Sequence, residues 1–393
     1  MGAMTRSPNR TWAALAVVTA IVVVLVWLLP PVGLVAAAVL LALLPPWGRT
    51  VAERAAISGV VVLGVIAVVF PRAGGMPVTH ASGRLLVTVL LLAALALRAV
   101  PRLRAIGLPR AGVVDGIAGL VAVITGWWAI SSTAGRSIPQ IVASLFFSGW
   151  DNQGHFTTFA NTAVLGSTTW PTSDGTVAWN QWYPSLHTTA WALGQLAGTT
   201  TEPTRLGLVA PYAWWSAMSF AFCMAALTWV AGDLAARMAG PERRRLAGPL
   251  GAAAFGAFAV LGSPAFLFNG GFTNFVMGVT VVVLVSYLSA RSMRSARAYG
   301  WFLVPLGALA VIGLWTPLVL GIVPAGVVVA VALWKRRWWW SVVWLVVTAI
   351  IAVVVAVTQT AAILGVEPGA SSADFSTSLG AVSSGMVPFN IAL

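Results

Sequence analysis

The sequence predicts an all-α polytopic membrane protein with about 11 transmembrane helices and one long extracytoplasmic loop carrying interfacial helices. Three observations predict it. Mean hydropathy is +0.92, with 59% hydrophobic and only 8% charged residues across 393 positions. Uncharged apolar runs of roughly 17–25 residues recur, the length that crosses a bilayer as a helix. Lipid leaves every backbone polar group to be satisfied within its own segment, which selects helices, and the apolar/polar alternation of membrane-barrel strands is missing. Basic residues, finally, fall almost wholly on one set of connections, as they do on cytoplasmic loops.

In chain order, Arg6 and Arg10 precede an apolar run from Trp12 to Leu29. A signal peptide has a shorter apolar core and a small-residue cleavage site, so this run reads as a retained first span with a cytoplasmic N-terminus. A short second span follows at about 32–45, then spans at about 55–70, 85–100, 112–130, 206–236, 248–266, 272–290, 301–314, 318–334 and 338–360. Between the ninth and tenth, Trp315, Thr316 and Pro317 form a tight outside turn. This order puts the basic clusters around 6–10, 49–54, 98–110, 237–245, 291–297 and 335–337 inside, and leaves only Arg72, Arg84, Arg136 and Arg205 of the 22 basic residues outside. The net charge of +13 is therefore a matter of topology in a plasma-membrane protein and not of nucleic-acid binding. Asp115 and Asp233, near cytoplasmic span ends, are expected to pair with Arg110 and Arg237; neither lies at mid-membrane, where a proton relay needs its acids. The single cysteine, Cys223, sits in an apolar run and has no intramolecular partner.

The spans group into an N-terminal four-span extension, 1–111, and a core, 112–360, whose loop 131–205 is extracytoplasmic. The tail, 361–393, is outside as well; it ends in "MVPFNIAL", which reads as the start of another span, so truncation is expected.

The loop concentrates chemistry. It holds Asp151, Asp174 and Glu202 of nine acids, and His155 and His187 of three histidines; His80 lies in another outer loop. Loops of such length are usually functional. "PQIVASLFFSGWDNQGHFTTFANTAVL" reads as an amphipathic helix along the membrane surface, broken near Gly149 or Gly154. On a helix Asp151 and His155 stand at i and i+4 on one face. A carboxylate and an imidazole so placed suit a base and its partner, two ligands of a divalent cation, or simply a solvated polar face. The flanking Trp150 and Phe156 point to a partly desolvated carboxylate. "GSTTWPTSDGTVAWN" reads as irregular loop, and "YPSLHTTAWALGQLAG" as a short helix that starts after Pro184 and ends at Gly198, with His187 as a ligand contact or a surface histidine. At a later outside turn, "FLFNGGFTNF", Asn269 and Asn274 flank Gly270 and Gly271; the turn either presents amide donors to a ligand or merely joins two helices. Arg136, in the long loop, suits a phosphate or a lipid headgroup. No phosphate-binding P-loop, zinc signature or dinucleotide fingerprint occurs.

Asp151, His155, Tyr183, Pro184 and His187 together form a "D-x-x-x-H … Y-P-x-x-H" arrangement. It resembles a group of actinobacterial membrane proteins within the GT-C class of glycosyltransferases, and the "NGGFTN" turn is similar to one in that group. The resemblance covers roughly residues 112–290. It implies a sugar donor carried on polyprenyl phosphate and an envelope glycan or lipid acceptor on the extracytoplasmic side. It implies Asp151 and His155 as catalytic residues, with Asp151 acting as base or as ligand of a divalent cation, Mg or Mn. His187, Tyr183, Arg136, Asn269, Asn274 and Asp174 would contact substrate. Two features depart from the class: four spans precede the one leading into the acidic loop, and no soluble C-terminal domain follows. A transporter or flippase of lipid-linked saccharides is the competing reading, opposed by the scarcity of mid-span charge and the lack of a repeat. A non-catalytic membrane scaffold, the third, would tolerate loss of Asp151.

Overall fold

The computed structural model describes residues 8–70, 76–100, 107–146, 151–168, 185–294 and 300–363. Helices account for nearly all of them. The first four are α1 (Pro8–Leu28), α2 (Pro30–Leu43), α3 (Val51–Val69) and α4 (His80–Ala99). The middle of the chain forms α5 (Val113–Ser131), α6 (Ile138–Phe146), α7 (Asp151–Leu165), α8 (Leu186–Ala197) and α9 (Val209–Met238). It closes with α10 (Gly240–Leu261), α11 (Ser263–Asn269), α12 (Thr273–Arg294), α13 (Gly300–Trp315), α14 (Val323–Lys335) and α15 (Trp339–Ile363). By length and apolarity six helical stretches among the described residues suffice to cross a membrane, or seven when α10 and α11, bent by 41°, are taken as one broken span. Shorter apolar helices lie at Trp12–Leu28, Pro30–Leu43 and Trp339–Val354.

The expected elements are recognisable, and their ends have local causes. Pro30 opens α2, where a missing amide costs nothing. Thr50 caps α3 by accepting from the Glu53 amide, and Glu53 reaches back to the Arg49 amide at 2.7 Å. Thr79 and Ser82 form a capping box on α4. α9, the longest helix, packs on α10, α5 and α12, and the large core built around it includes Ile57 of α3, Phe220 of α9 and Val311 of α13. A second, smaller core joins α1, α2 and α4 through Val26, Leu44 and Leu91.

The turn expected at Trp315–Pro317 is present as a reversal. Phe302–Lys335 runs as one 34-residue apolar stretch, about 51 Å if straight, far beyond a bilayer core of about 30 Å. Trp315 breaks it with extended backbone, φ −158° and ψ 91°. Beyond the break Gly278 lies against Leu318, Gly321 against Val282 and Gly326 against Val304, so the chain travels back along α12 and α13.

Polar groups collect at the two ends of the bundle. At one end Arg291 makes ion contacts of 3.2 Å with both Glu53 and Asp233, which joins α12 to α3 and α9. Asp233 also pairs with Arg237 at 2.8 Å, as expected, and accepts from the Tyr287 hydroxyl. Buried Arg54 donates to Leu43 O, Gly48 O and Gly107 O, and Arg98 to Leu44 O and Gly107 O, so both cap chain ends at this layer. Asp115 departs from expectation. Its oxygens accept from the backbone amides of Ala52 and Gly112 at 2.8 and 2.9 Å, so it caps two helix starts instead of pairing with Arg110. Carboxylates favour helix N-termini, where amides are left over. The other end of α12 begins at Thr273, about 27 Å from Arg291 at the rise of an α-helix, and carries the histidines.

The second correction concerns the long loop. Its second part, expected along the membrane surface, is packed into the bundle. The described helices are α6, to Phe146, and α7, from Asp151; Gly154 lies inside α7, while Gly149, the other expected break, lies outside the described residues. Most of α7 from Asn152 to Ala163 is buried. α8 is enclosed as well, packed on α7, α4, α3 and α13. Gly83 of α4 lets the chains approach so closely that a Cβ there would meet Leu193 O at 2.6 Å. Asn152, Thr158, Asn161 and Thr162 give α7 an all-round polar and small surface that interior packing accepts and a lipid interface does not select.

Candidate active site

The site is assembled at the start of α7. The last described carbonyls of α6 meet side-chain donors from α7. Asn152 Nδ2 supplies Leu145 O at 3.1 Å and Gln153 Nε2 supplies Phe146 O at 2.9 Å. These two bonds tie the first turn of α7 to the end of α6. They place Asp151 at the helix start, half-buried, where desolvation raises its pKa above the usual carboxylate value.

Tyr212, near the start of α9, is 1% exposed and donates from its hydroxyl to Asn152 Oδ1 at 2.9 Å. Phe146, Phe156, Phe159 and Trp191 surround its ring at centroid distances of 5.6–6.1 Å. This cage holds the phenol in one pose, so the bond to Asn152 fixes the amide next to Asp151.

On the facing side, the α11–α12 turn presses directly on the acid. Gly271 has φ +89°, and a Cβ there would lie 2.7 Å from Asn152 N and 3.0 Å from Asp151 Cβ. Both conditions require glycine. Thr273 and Ser216 share a hydroxyl contact of 3.0 Å that pins the turn to α9.

One turn along α7 from Asp151 comes His155, 4% exposed. Its ring meets that of His187 edge to face at 4.5 Å, and His187 meets Trp191 in the same way at 5.0 Å. Burial pushes the His155 pKa down to about 4, against a hydrogen bond that the ring donates to the Asn274 side-chain oxygen and that favours the charged form. At neutral pH the imidazole is therefore uncharged and serves as an acceptor or a positioning group. Asn274 is fully buried, its Oδ1 accepts from the Phe275 amide, and among the described residues its Nδ2 meets no acceptor. His187 lies in the first turn of α8, whose observed extent, Leu186 to Ala197 with Gly198 as C-cap, matches the expected helix.

The fold thus brings together Asp151, His155, His187 and Asn274 from three distant stretches. It leaves Arg136 exposed in the turn between α5 and α6, and Asn269 exposed as the last residue of α11. Tyr183 and Asp174 lie outside the described residues. Sequence reasoning passed over Asn152 and Tyr212. The available signals were the adjacency of Asn152 to Asp151 and the rarity of tyrosine, four in the chain.

As for metal, no group of three or more His, Cys, Asp or Glu side chains forms a cluster among the described residues. Asn152 Oδ1 already accepts from Tyr212, which leaves Asp151 as the carboxylate available. A single carboxylate fits Mg²⁺ or Mn²⁺ when substrate phosphate and water complete the shell. It does not fit a cage built by protein alone.

No protein family, curated protein or solved structure matches the chain.

Proposed function

We propose that the protein is a GT-C-like membrane glycosyltransferase that moves a sugar from a polyprenyl-phosphate donor to an envelope glycan or lipid acceptor. The observation that carries this reading is the convergence of Asp151, His155, His187 and Asn274 at one end of an apolar bundle. That end is opposite the arginine-rich layer, and the positive-inside rule assigns it to the extracytoplasmic side of the plasma membrane. The count of about 11 spans belongs to the same proposal. It takes α1, α2, α13, α14 and α15 as separate crossings and α10 with α11 as one.

In this reading the half-buried carboxylate of Asp151 takes the proton of the acceptor hydroxyl as that oxygen attacks the anomeric carbon. The bond from that carbon to the phosphate oxygen breaks, and polyprenyl phosphate leaves with its electron pair. A raised pKa makes the carboxylate a better base. Neutral His155, with His187 against its ring, orients hydroxyls or phosphate, and Asn274 Nδ2 is a buried donor for a sugar oxygen. A divalent cation at Asp151, when bound, would supply charge neutralisation for the phosphate.

The test is transfer from radiolabelled polyprenyl-phosphate sugars to envelope glycan acceptors, comparing the full-length protein with Asp151→Asn, with and without EDTA. Loss of transfer in a folded variant supports the reading. Equal transfer in both removes Asp151 from the chemistry, and no transfer with any donor returns the protein to the flippase or scaffold readings.

A further inference from the structure

The arginine-rich end of the bundle holds a cleft for which glycosyl transfer has no use. It lies at the turn between α9 and α10, where Gly240 takes φ +73° and Pro241 opens α10. Its volume is about 350 Å³, and its walls are Ala236, Arg237, Gly240, Pro241 and Arg244. Two arginines from different helices thus face one space, and no acid is among the lining residues.

Arg237 is held in a defined orientation. Its Nε donates to Asp233 at 2.8 Å, one turn back on α9. Asp233 is itself shared with Arg291 and Tyr287, so it does not cancel the Arg237 charge alone. Arg237 also meets the Tyr287 hydroxyl, so part of its guanidinium is committed inside the protein and the rest, in the cleft wall, matches the oxygens of a phosphate. Arg243, Arg244 and Arg245 together outweigh Glu242 on the first turns of α10. The surroundings are apolar: Leu234, Met238, Leu246 and Leu250 are all exposed around the turn, where helices bound for the bilayer core begin and end.

We propose that this cleft binds the headgroup phosphate of an anionic phospholipid, held between Arg237 and Arg244 with the acyl chains along Leu234 and Leu250. A soluble phosphate would need no such hydrocarbon-facing rim. The proposal is independent of the glycosyltransferase reading.

The experiment is native mass spectrometry of the purified full-length protein in neutral detergent, titrated with phosphatidylglycerol or phosphatidylcholine. Three variants accompany it: Arg244→Gln, Arg237→Lys and Arg243→Gln. Lysine keeps a cation for Asp233 but loses the fork; Arg243 is outside the cleft lining. Phosphatidylglycerol should bind preferentially as a single tight lipid. Its affinity should fall about fivefold in Arg244→Gln and in Arg237→Lys, and stay unchanged in Arg243→Gln, the scale set by one basic residue at an anionic surface. Inorganic phosphate at the same concentration should not displace it. Equal losses in all three variants would mean a diffuse basic belt and overturn the site. So would the absence of preference for phosphatidylglycerol. Displacement by inorganic phosphate would overturn the lipid assignment. Should Arg237→Lys fail to fold, the exposed Arg244 and Arg243 still decide between site and belt.

Discussion

The hydroxyl of Tyr212 donates to Asn152 Oδ1 at 2.9 Å, and the other end of the same amide donates to Leu145 O at 3.1 Å. One buried side chain thereby links α9, α7 and α6 beside Asp151. Tyr212→Phe keeps the aromatic cage and removes the donor. We expect a loss of about 1–3 kcal/mol, the cost of leaving a buried acceptor unsatisfied. We also expect the Asp151 titration to move towards the ordinary carboxylate range, because a loosened helix start admits water. Carbodiimide labelling of Asp151 against pH, read by peptide mass spectrometry, measures this separately from thermal stability. Lower stability with an unmoved labelling midpoint would make the bond merely structural.

Gly271 and Gly270 are neighbours with opposite expectations. Alanine at Gly271 needs left-handed backbone and a Cβ 2.7 Å from Asn152 N, so a loss of about 2–5 kcal/mol is expected, with Asp151 displaced. Gly270 has φ −70°, and its added Cβ would meet the edge of the Phe272 ring at 3.0 Å and Phe266 O at an ordinary 3.5 Å. Gly270→Ala should stay within about 1 kcal/mol, since a side chain can shift where backbone cannot. Thermal midpoints of the two variants in detergent provide the comparison, and equal losses would contradict it.

Acid should destabilise the protein through His155. Its folded pKa is about 4 against an ordinary 6.5. As pH falls below 6.5 the unfolded chain binds the proton first, so the stability present above 6.5 is lost progressively down to about pH 4, by about 3 kcal/mol at most. Asp151 acts in the opposite sense. Its raised pKa makes the folded chain the tighter proton binder, which adds stability on acidification. Asp151→Asn should therefore steepen the acid loss, and His155→Gln should flatten it. Unfolding midpoints measured from pH 7.5 to 4.5 would show both, and an unchanged slope in His155→Gln would refute the assignment.

At the other end of the bundle, Arg291 stands between Glu53, 1% exposed, and Asp233. Arg291→Ala should cost about 3–5 kcal/mol, as removal of one member of a buried ion group does. Adding Glu53→Gln should recover part of that loss because the buried charge goes with its partner. A double variant no more stable than Arg291→Ala would show that Glu53 and Arg291 are not coupled.

Much of the architecture was legible in the chain because lipid imposes a period and a length on helices and a sign on their connections. The apolar runs forecast α3, α4, α5, α9 and α12 to within a few residues, and the arginines forecast which helix ends share a layer. Asp151, His155, His187 and Asn274 stood out because polar groups are scarce among apolar ones. Tertiary structure alone decided the rest. That α7 and α8 are buried in the bundle, and do not lie on its surface, follows from partners far away in sequence, such as Gly83 and Tyr212, which no local pattern can announce. That Asp115 caps Ala52 and Gly112 while Arg110 goes without it follows from leftover helix amides meeting in space. Burial, not residue identity, sets the proton affinities of Asp151 and His155, and burial exists only once the helices have packed.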